Sequence, residues 1–265
     1  MKRRLLRFVM LFVLSFSLIF SACVREEINE GGRLDPDEQN IENTEEDDIG
    51  QQDTAAPVVS DAEGSDIDAS WNVLTEARER MNGLTALEEN QLLYTKIEDS
   101  EESITLRLTM TGIGGEDFTL GAAGSVKTQG NVIPLEIYYR NKTMVRISGG
   151  NKDTADSTED EALATVDFLR SIRRDLTKEC LTSAVMTETV DGIKTVSILF
   201  EGTISGLSTT GRGEILIDPD GLISSEGYSF EAVNKDGKKV SQSVECTLLA
   251  FNADVKAVNL PAELK

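Results

Sequence analysis

Residues 104–111 read ITLRLTMT, in which apolar side chains alternate with threonine or arginine. A period of two is typical of a β-strand with one buried and one solvated face. The same pattern returns in residues 118–126, after a glycine-rich turn. These two segments therefore predict antiparallel strands of a sheet whose apolar face needs a cover.

Further segments of this kind extend the predicted sheet on both sides of a polar interruption. Residues 135–140 and 143–147 flank Asn141-Lys142, which predicts a β-hairpin. The polar, glycine-containing stretch 148–160 predicts a loop. Beyond it, turns at 218–221 (DPDG) and 234–237 (NKDG) separate predicted hairpin strands. The strands predicted after the interruption are 193–200, 214–217, 222–233 and 240–251.

Two amphipathic helices are predicted on the same chain. The first begins near Asp66 and Asp68 and ends at Asn82-Gly83, with Leu74 and Met81 at helical spacing. The second follows the polar loop and is predicted from apolar residues in register at Leu163, Val166, Ile172 and Leu176. The fold class is therefore α+β, an antiparallel sheet covered by an N-terminal helix and a mid-chain helix.

The first 22 residues have the features of an export signal. A basic start at residues 2–7 precedes an apolar run over 8–20, and small Ser21 and Ala22 lead into Cys23. The pattern resembles a bacterial lipoprotein signal peptide, which implies acylation of Cys23. Phe20 departs from the family pattern, which favours leucine there. There are two alternatives to acylation: ordinary secretory cleavage after Ala22, and a membrane anchor that is not cleaved.

The formal net charge is −21, and much of it lies in one segment. Residues 26–68 contain 16 acidic residues and one basic residue, Arg33. Such a segment buries too little apolar surface to offset its ordering entropy, so residues 23–65 are predicted to be a disordered acidic linker. A chain with this charge repels polyanions, so nucleic acid is not an expected partner.

Residues 66–265 are long enough for one domain with a sizeable core. If Cys23 is acylated, Cys180 and Cys246 remain, an even number in an exported protein. A disulfide between Cys180 and Cys246 is one possibility, and two buried reduced thiols are the other. The sequence contains no C-x-x-C motif and so no signal for redox catalysis.

The succession of an N-terminal helix, amphipathic strands and a late hairpin at residues 215–222 (ILIDPDGL) resembles the LolA/LppX type of bacterial lipoprotein. The resemblance covers about residues 68–265. It implies a strongly curved antiparallel half-barrel, closed by helices, whose cavity can take acyl chains. Ordinary packing of sheet against helix is the alternative for each candidate cavity residue: Leu106, Leu108, Met110, Phe118, Leu120, Phe200, Ile215, Ile217, Tyr228 and Phe230.

The composition gives little support for catalysis. The chain has no histidine, which removes Ser-His-Asp and Cys-His arrangements and the commonest transition-metal ligand. The glycine-rich stretches 112–115 and 211–213 lack the lysine and the strand-to-helix context of a phosphate loop. We therefore expect no catalytic residues, no metal, no cofactor and no enzymatic activity.

Two functions of different classes remain. The first is a membrane-anchored lipoprotein outside the cytoplasm that binds or carries a lipid or another apolar ligand at the cell envelope. The alternative is a surface interaction or structural module that binds a protein or cell-wall partner without a ligand cavity. Both place the domain at a membrane through acylated Cys23.

Overall fold

The computed structural model describes residues 66–98, 100–234 and 237–265. The predicted signal peptide, Cys23 and the acidic linker lie outside these residues. The described chain begins with helix α1 (Ile67–Asn82). Six strands follow: β1 (Ala86–Ile97), β2 (Ser100–Thr111), β3 (Thr119–Thr128), β4 (Asn131–Arg140), β5 (Thr143–Ser148) and β6 (Asn151–Asp156).

Two short helices, α2 (Glu159–Val166) and α3 (Arg170–Asp175), separate these strands from a second set. That set consists of β7 (Leu181–Glu188), β8 (Lys194–Ile204), β9 (Leu207–Ile217), β10 (Ile223–Val233) and β11 (Lys239–Phe251). No helix among the described residues is long and apolar enough to cross a bilayer.

All eleven strands form one antiparallel sheet with the order β6-β5-β4-β3-β2-β1-β11-β10-β9-β8-β7. Nine of the ten pairings between strands therefore join sequence neighbours, as expected for two meanders. The exceptional pairing joins β1 to β11, with Gln91 opposite Cys246 and Leu93 opposite Val244. This pairing merges the N-terminal half of the sheet (β1–β6) and the C-terminal half (β7–β11) into an open sheet, and the α+β prediction is confirmed.

Three strands were absent from the sequence prediction. In β1, Glu89 and Gln91 face inward beside Leu87, and these polar residues hide the alternation. In β6 every residue is exposed, so nothing apolar marks the strand, and backbone pairing with β5 alone defines it. The prediction of a loop over the whole of 148–160 was therefore wrong. The third strand, β7, is an edge strand with only Leu181 and Ala184 buried.

Helix α1 begins and ends where its capping residues predict. Oδ1 of Asp66 accepts a hydrogen bond from the backbone N–H of Ala69 (2.9 Å), which satisfies one of the free donors of the first turn. Leu74 and Ala77 are buried, and α1 packs against β7 and β10. The helix ends at Gly83, whose N–H donates to the carbonyl of Arg80.

The predicted mid-chain helix is two helices joined by residues 167–169. A capping box starts α2, because Thr158 and Glu161 exchange side-chain and backbone hydrogen bonds. Asp167 ends α2 with extended backbone angles, and its Oδ1 then accepts a hydrogen bond from the N–H of Leu169 (3.1 Å). The break lets the segment change direction as it crosses the sheet.

The helices cover one face of the sheet. Helix α2 packs against β4 through buried Ala162 and Val166, and α3 packs against β8. On the opposite face the C-terminal residues Leu260 and Leu264 pack with Val145. Their contact covers the outer side of the strands around β5.

Candidate ligand site on the covered face of the sheet

The candidate cavity residues all lie on the strands or at their ends, and nine of the ten are buried. The exception is Phe230, which is half-buried. They fall into two groups on the covered face. The first group lies on β2, on β3 and just before β3, and comprises Leu106, Leu108, Met110, Phe118 and Leu120. The second group lies on β8, β9 and β10, and comprises Phe200, Ile215, Ile217, Tyr228 and Phe230.

The second group belongs to a packed core. Phe200, Ile215 and Tyr228 are at most 2 % exposed and share one hydrophobic cluster with Leu74 of α1 and Ile172 of α3. The rings of Phe200 and Tyr228 meet edge to face, with centroids 6.3 Å apart. The two helices fill this part of the face, which favours ordinary packing for these residues.

The first group lies in the N-terminal half of the sheet. In that half, strand β4 lies beside β3 and contacts α2. This helix has eight residues and buries two small side chains, Ala162 and Val166. Strand β4 adds Leu135 and Ile137, which are at most 2 % exposed. The apolar face of β2–β4 is therefore broad, and among the described helices α2 packs against it at β4.

A polar cluster is centred on Glu226 of β10, beside Tyr228 of the second group. The Glu226 side chain is 1 % exposed. Its Oε2 accepts a hydrogen bond from Nε of Arg173 (2.9 Å), and its Oε1 accepts from the hydroxyl of Tyr228 (2.6 Å). Nη2 of Arg78 lies 3.4 Å from the same Oε1 and 3.1 Å from the tyrosine oxygen. One carboxylate thus connects α1 and α3 to the sheet.

A second set of polar contacts attaches the α2–α3 junction to β1. Oε1 of Gln91 accepts a hydrogen bond from the backbone N–H of Phe168 (3.0 Å). The amide nitrogen of Gln91 donates to Oε1 of Glu89. Asp167, at the same junction, lies 3.7 Å from Nη1 of Arg173. Buried Gln91 therefore supplies the partner that the junction's backbone needs.

The carboxyl groups of this cluster differ in charge preference. Burial alone would raise the pKa of Glu226, but the charges of Arg173 and Arg78 outweigh it and hold that pKa below its usual value. Burial raises the pKa of Glu89, against the opposing effect of Arg173. Burial likewise raises the pKa of Asp167. In this cluster the pKa of Glu226 is lowered, which favours its charged form. The pKa values of Glu89 and Asp167 are raised, which favours their neutral forms.

The two cysteines are free thiols, so the disulfide alternative is wrong. Cys180 is half-buried, and its sulfur lies against Gly202 of β8, while buried Cys246 is on β11. Strands β8 and β11 are three strand spacings apart, about 14 Å along the sheet, well beyond disulfide reach. Burial and the neighbouring Glu89 raise the pKa of the Cys246 thiol, which keeps it protonated.

The polar cluster was missed from the sequence, although one signal for it exists. Glu226 has the same strand parity as Tyr228, and Glu89 has the same parity as Leu87. An acidic residue at an inward position needs a buried partner, so its parity marks a buried polar network. Among the described residues, no group of histidine, cysteine, aspartate or glutamate side chains has the geometry to hold a metal ion.

The chain was compared with known proteins at three levels. No family model matches it, and no curated protein matches its sequence. Among solved structures it is similar to LprF from Mycobacterium bovis, at a TM-score of 0.46 and 14% identity over 74% of this chain and 99% of that one.

Two other similar structures have lower TM-scores. A DUF1329 family protein from Desulfovibrio piger matches at a TM-score of 0.30 and 12% identity, over 75% of this chain and 99% of that one. A putative outer membrane lipoprotein-sorting protein domain from Vibrio parahaemolyticus matches at 0.28 and 8% identity, over 72% and 95%. These likenesses concern the arrangement of sheet and helices, and they extend to no individual residue.

Proposed function

We propose that this protein is a lipid-anchored protein of the cell envelope that binds the apolar part of a lipid on the covered face of the N-terminal half of its sheet. The observation that carries the proposal is a broad apolar face on β2–β4 that lies apart from the cluster packed under α1 and α3. That cluster takes its sheet residues from β7–β11, whereas Leu108 and Leu120 belong to strands on the other half, where α2 contacts β4. A broad apolar face apart from this core offers a surface that acyl chains can share.

The polar cluster supports the proposal by giving the cover a fixed attachment. Gln91 holds the α2–α3 junction on β1, and Glu226 holds α3 on β10. Helix α2 extends from this attachment to β4. A movement of α2 alone would then open the apolar face at β4 while the core under α1 and α3 stays packed.

The anchor is a separate part of the proposal and rests on the sequence around Cys23. Acyl chains contribute roughly 0.8 kcal/mol per buried methylene, so two or three chains hold a domain at a membrane. In the native host, Cys23→Ala should abolish labelling by a radioactive fatty acid, and globomycin should cause the precursor to accumulate. Labelling of the Cys23→Ala chain, or processing that ignores globomycin, would contradict the anchor.

Ligand binding is tested with a mature chain that carries Cys23→Ser, which removes the anchor's own lipid from the measurement. Native mass spectrometry should show co-purifying lipid, and a fluorescent fatty acid should bind and be displaced by unlabelled oleate. Leu108→Glu on β2 should abolish this binding, whereas Thr109→Glu, on the opposite face of the same strand, should leave it intact. If Leu108→Glu fails to fold, Val166→Trp on α2 replaces it as the test variant and should likewise abolish fatty acid binding.

A chain that carries no lipid in several preparations and binds no fatty acid would contradict the carrier function. In that case the alternative, an interaction module without a ligand cavity, would be favoured. The anchor would be unaffected by that result, because labelling at Cys23 reports it independently.

A further inference from the structure

The outer face of the sheet, opposite the helices, has a depression of about 340 Å³. It lies across four neighbouring strands, β3, β2, β1 and β11, which include the pairing that joins the two halves. Sites for small molecules have volumes of about 300–1,000 Å³, so this volume falls at the lower end of that range. The lipid proposed above would use the other face, so the two sites are independent.

Strand register fixes the first row of side chains across the depression. Asn90 of β1 pairs with Arg107 on one side and Thr247 on the other, and Arg107 pairs in turn with Ala123. All four residues are exposed. The row crosses three strand spacings, or about 14 Å.

A second row lies two residues further along the strands, about 7 Å away. Leu92 pairs with Thr105 and Glu245, and Thr105 pairs with Ser125. The two rows together place three hydroxyls, one amide and two charged groups around Leu92 of β1. These groups belong to Thr105, Ser125 and Thr247, to Asn90, and to Arg107 and Glu245. Each hydroxyl and the amide both donate and accept hydrogen bonds.

On β3 the outward-facing residues of the depression are Ala123 and Ser125, which are smaller than Arg107 and Thr105, their partners on β2. A Cβ atom at Gly124 would lie 1.8 Å from the carbonyl oxygen of Thr105, so no other residue fits without a backbone shift. Glycine inside a strand often marks a close approach of another backbone. Gly124 faces the covered side by strand parity, opposite Leu106, so its part in the depression is its backbone between Ala123 and Ser125.

The charges select against an anionic ligand. Nε of Arg107 donates to Glu88, so the guanidinium charge is already compensated, while its two terminal nitrogens retain donor capacity. Glu245 adds a negative charge at the other end of the depression. The whole chain carries a net charge of −21, which also repels anions.

We propose that this depression binds a neutral carbohydrate of one or two rings. The hydroxyls of Thr105, Ser125 and Thr247 and the amide of Asn90 pair with ring hydroxyls, and the terminal nitrogens of Arg107 donate to ring oxygens. Leu92 packs against the C–H face of a ring. A glycan chain would cross the strands, since the long dimension of the depression is perpendicular to them.

The test titrates the Cys23→Ser mature chain with cellobiose, maltose and diacetylchitobiose and follows its backbone amides by NMR. At least one neutral disaccharide should give saturable shifts at residues 90–92, 105–107, 123–125 and 245–247. Ser125→Trp should weaken that binding at least tenfold. The matched control is Ser197→Trp, an equally half-buried, outward-facing serine on β8, which should bind as the wild type does.

Two results would overturn the carbohydrate proposal. One is the absence of saturable shifts with all three disaccharides, or equal binding by the Ser125→Trp chain. The other is saturable binding of triglycine or galacturonic acid when no neutral sugar binds, because the ligand class would then be zwitterionic or anionic. Fatty acid binding on the covered face should be unchanged in the Ser125→Trp chain, so the two proposals fail separately.

Discussion

The two halves of the sheet are built from similar strands but are stabilised differently. In the C-terminal half, α1 and α3 pack Leu74 and Ile172 against Phe200 and Ile215 in one hydrophobic cluster. In the N-terminal half, α2 brings Ala162 and Val166 to β4. Two meanders with the same alternation therefore pack against different helices, and the proposed ligand surface is assigned to the half that lies apart from α1 and α3.

The largest effect is expected at the boundary between the halves, where Glu226 holds two arginines. Glu226→Ala should lower the free energy of unfolding by about 3–5 kcal/mol, because it leaves Arg78 and Arg173 without their carboxylate in a buried site. Urea denaturation measures the change. Glu231→Ala, an exposed carboxylate on the same strand, is the control and should change stability by less than about 0.5 kcal/mol. Equal effects of the two substitutions would show that the cluster does not attach the helices.

The next effect compares one core residue from each half. Ile215→Ala should cost about 2–5 kcal/mol, because the packed cluster under α1 and α3 cannot collapse around the missing atoms. Leu120→Ala, equally buried, should cost clearly less in the ligand-free chain, because a face that opens for a lipid is expected to pack less tightly than the cluster under α1 and α3. Thermal unfolding of both variants gives the comparison. An equal loss would mean that the N-terminal half is packed as tightly as the C-terminal half.

A smaller effect compares glycines on the two halves. Gly124→Ala should destabilise by about 1–3 kcal/mol, since its Cβ would overlap the Thr105 carbonyl oxygen. Gly227→Ala on β10 has no neighbour closer than 3.7 Å to the new atom and should stabilise by about 0.5–1 kcal/mol, because alanine loses less backbone entropy. Denaturation midpoints measure both changes. Stabilisation by Gly124→Ala would contradict the close approach of β2 and β3.

The smallest effect is a pH dependence at Glu89, on the joining strand β1. Burial raises its folded pKa above the ordinary value of 4.5, so between these two values the folded protein holds a proton that the unfolded chain has released. Stability from this group is therefore complete below the ordinary pKa and is lost as pH rises through the folded pKa.

Glu89→Gln keeps an oxygen that accepts from Gln91 and removes the titration. The variant should therefore lose less stability than the wild type between pH 5 and pH 8. Glu226 has a lowered pKa and contributes the opposite sign, with stability lost as pH falls below the ordinary value. Melting temperatures across this pH range measure the difference, and parallel curves for the two chains would contradict a raised pKa at Glu89.

Much of the fold could be predicted because its strands follow the simplest rule. The alternation in residues 104–111 and 118–126 predicts β2 and β3, and the DPDG turn predicts the β9–β10 hairpin. Strand β1 was not predicted because its buried side carries polar residues. Strand β6 was not predicted because all of its residues are exposed. The mid-chain helix was predicted, but its break at Asp167 was not, since the apolar spacing continues through it.

The candidate lining residues were predicted as a single set, and the structure divides them. Leu108 and Phe200 have the same alternation, the same apolar chemistry and nearly the same burial. They differ in that Phe200 packs in the cluster with Leu74 of α1 and Ile172 of α3 and Leu108 does not, a property that depends on residues distant in the chain. The depression on the outer face has the same origin, because its rows exist only once β11 has paired with β1.

The amino-acid sequence was sufficient for the alternation of most strands, the places of most turns, the first helix and the lack of histidine. These are local properties, set by side-chain polarity and backbone preference within a few residues. Three features depend on the assembled fold: the two meanders form one sheet, Glu226 and Gln91 attach the helices to it, and the two halves pack against different helices. Such contacts join residues distant in the chain, and their energy depends on what is buried beside them.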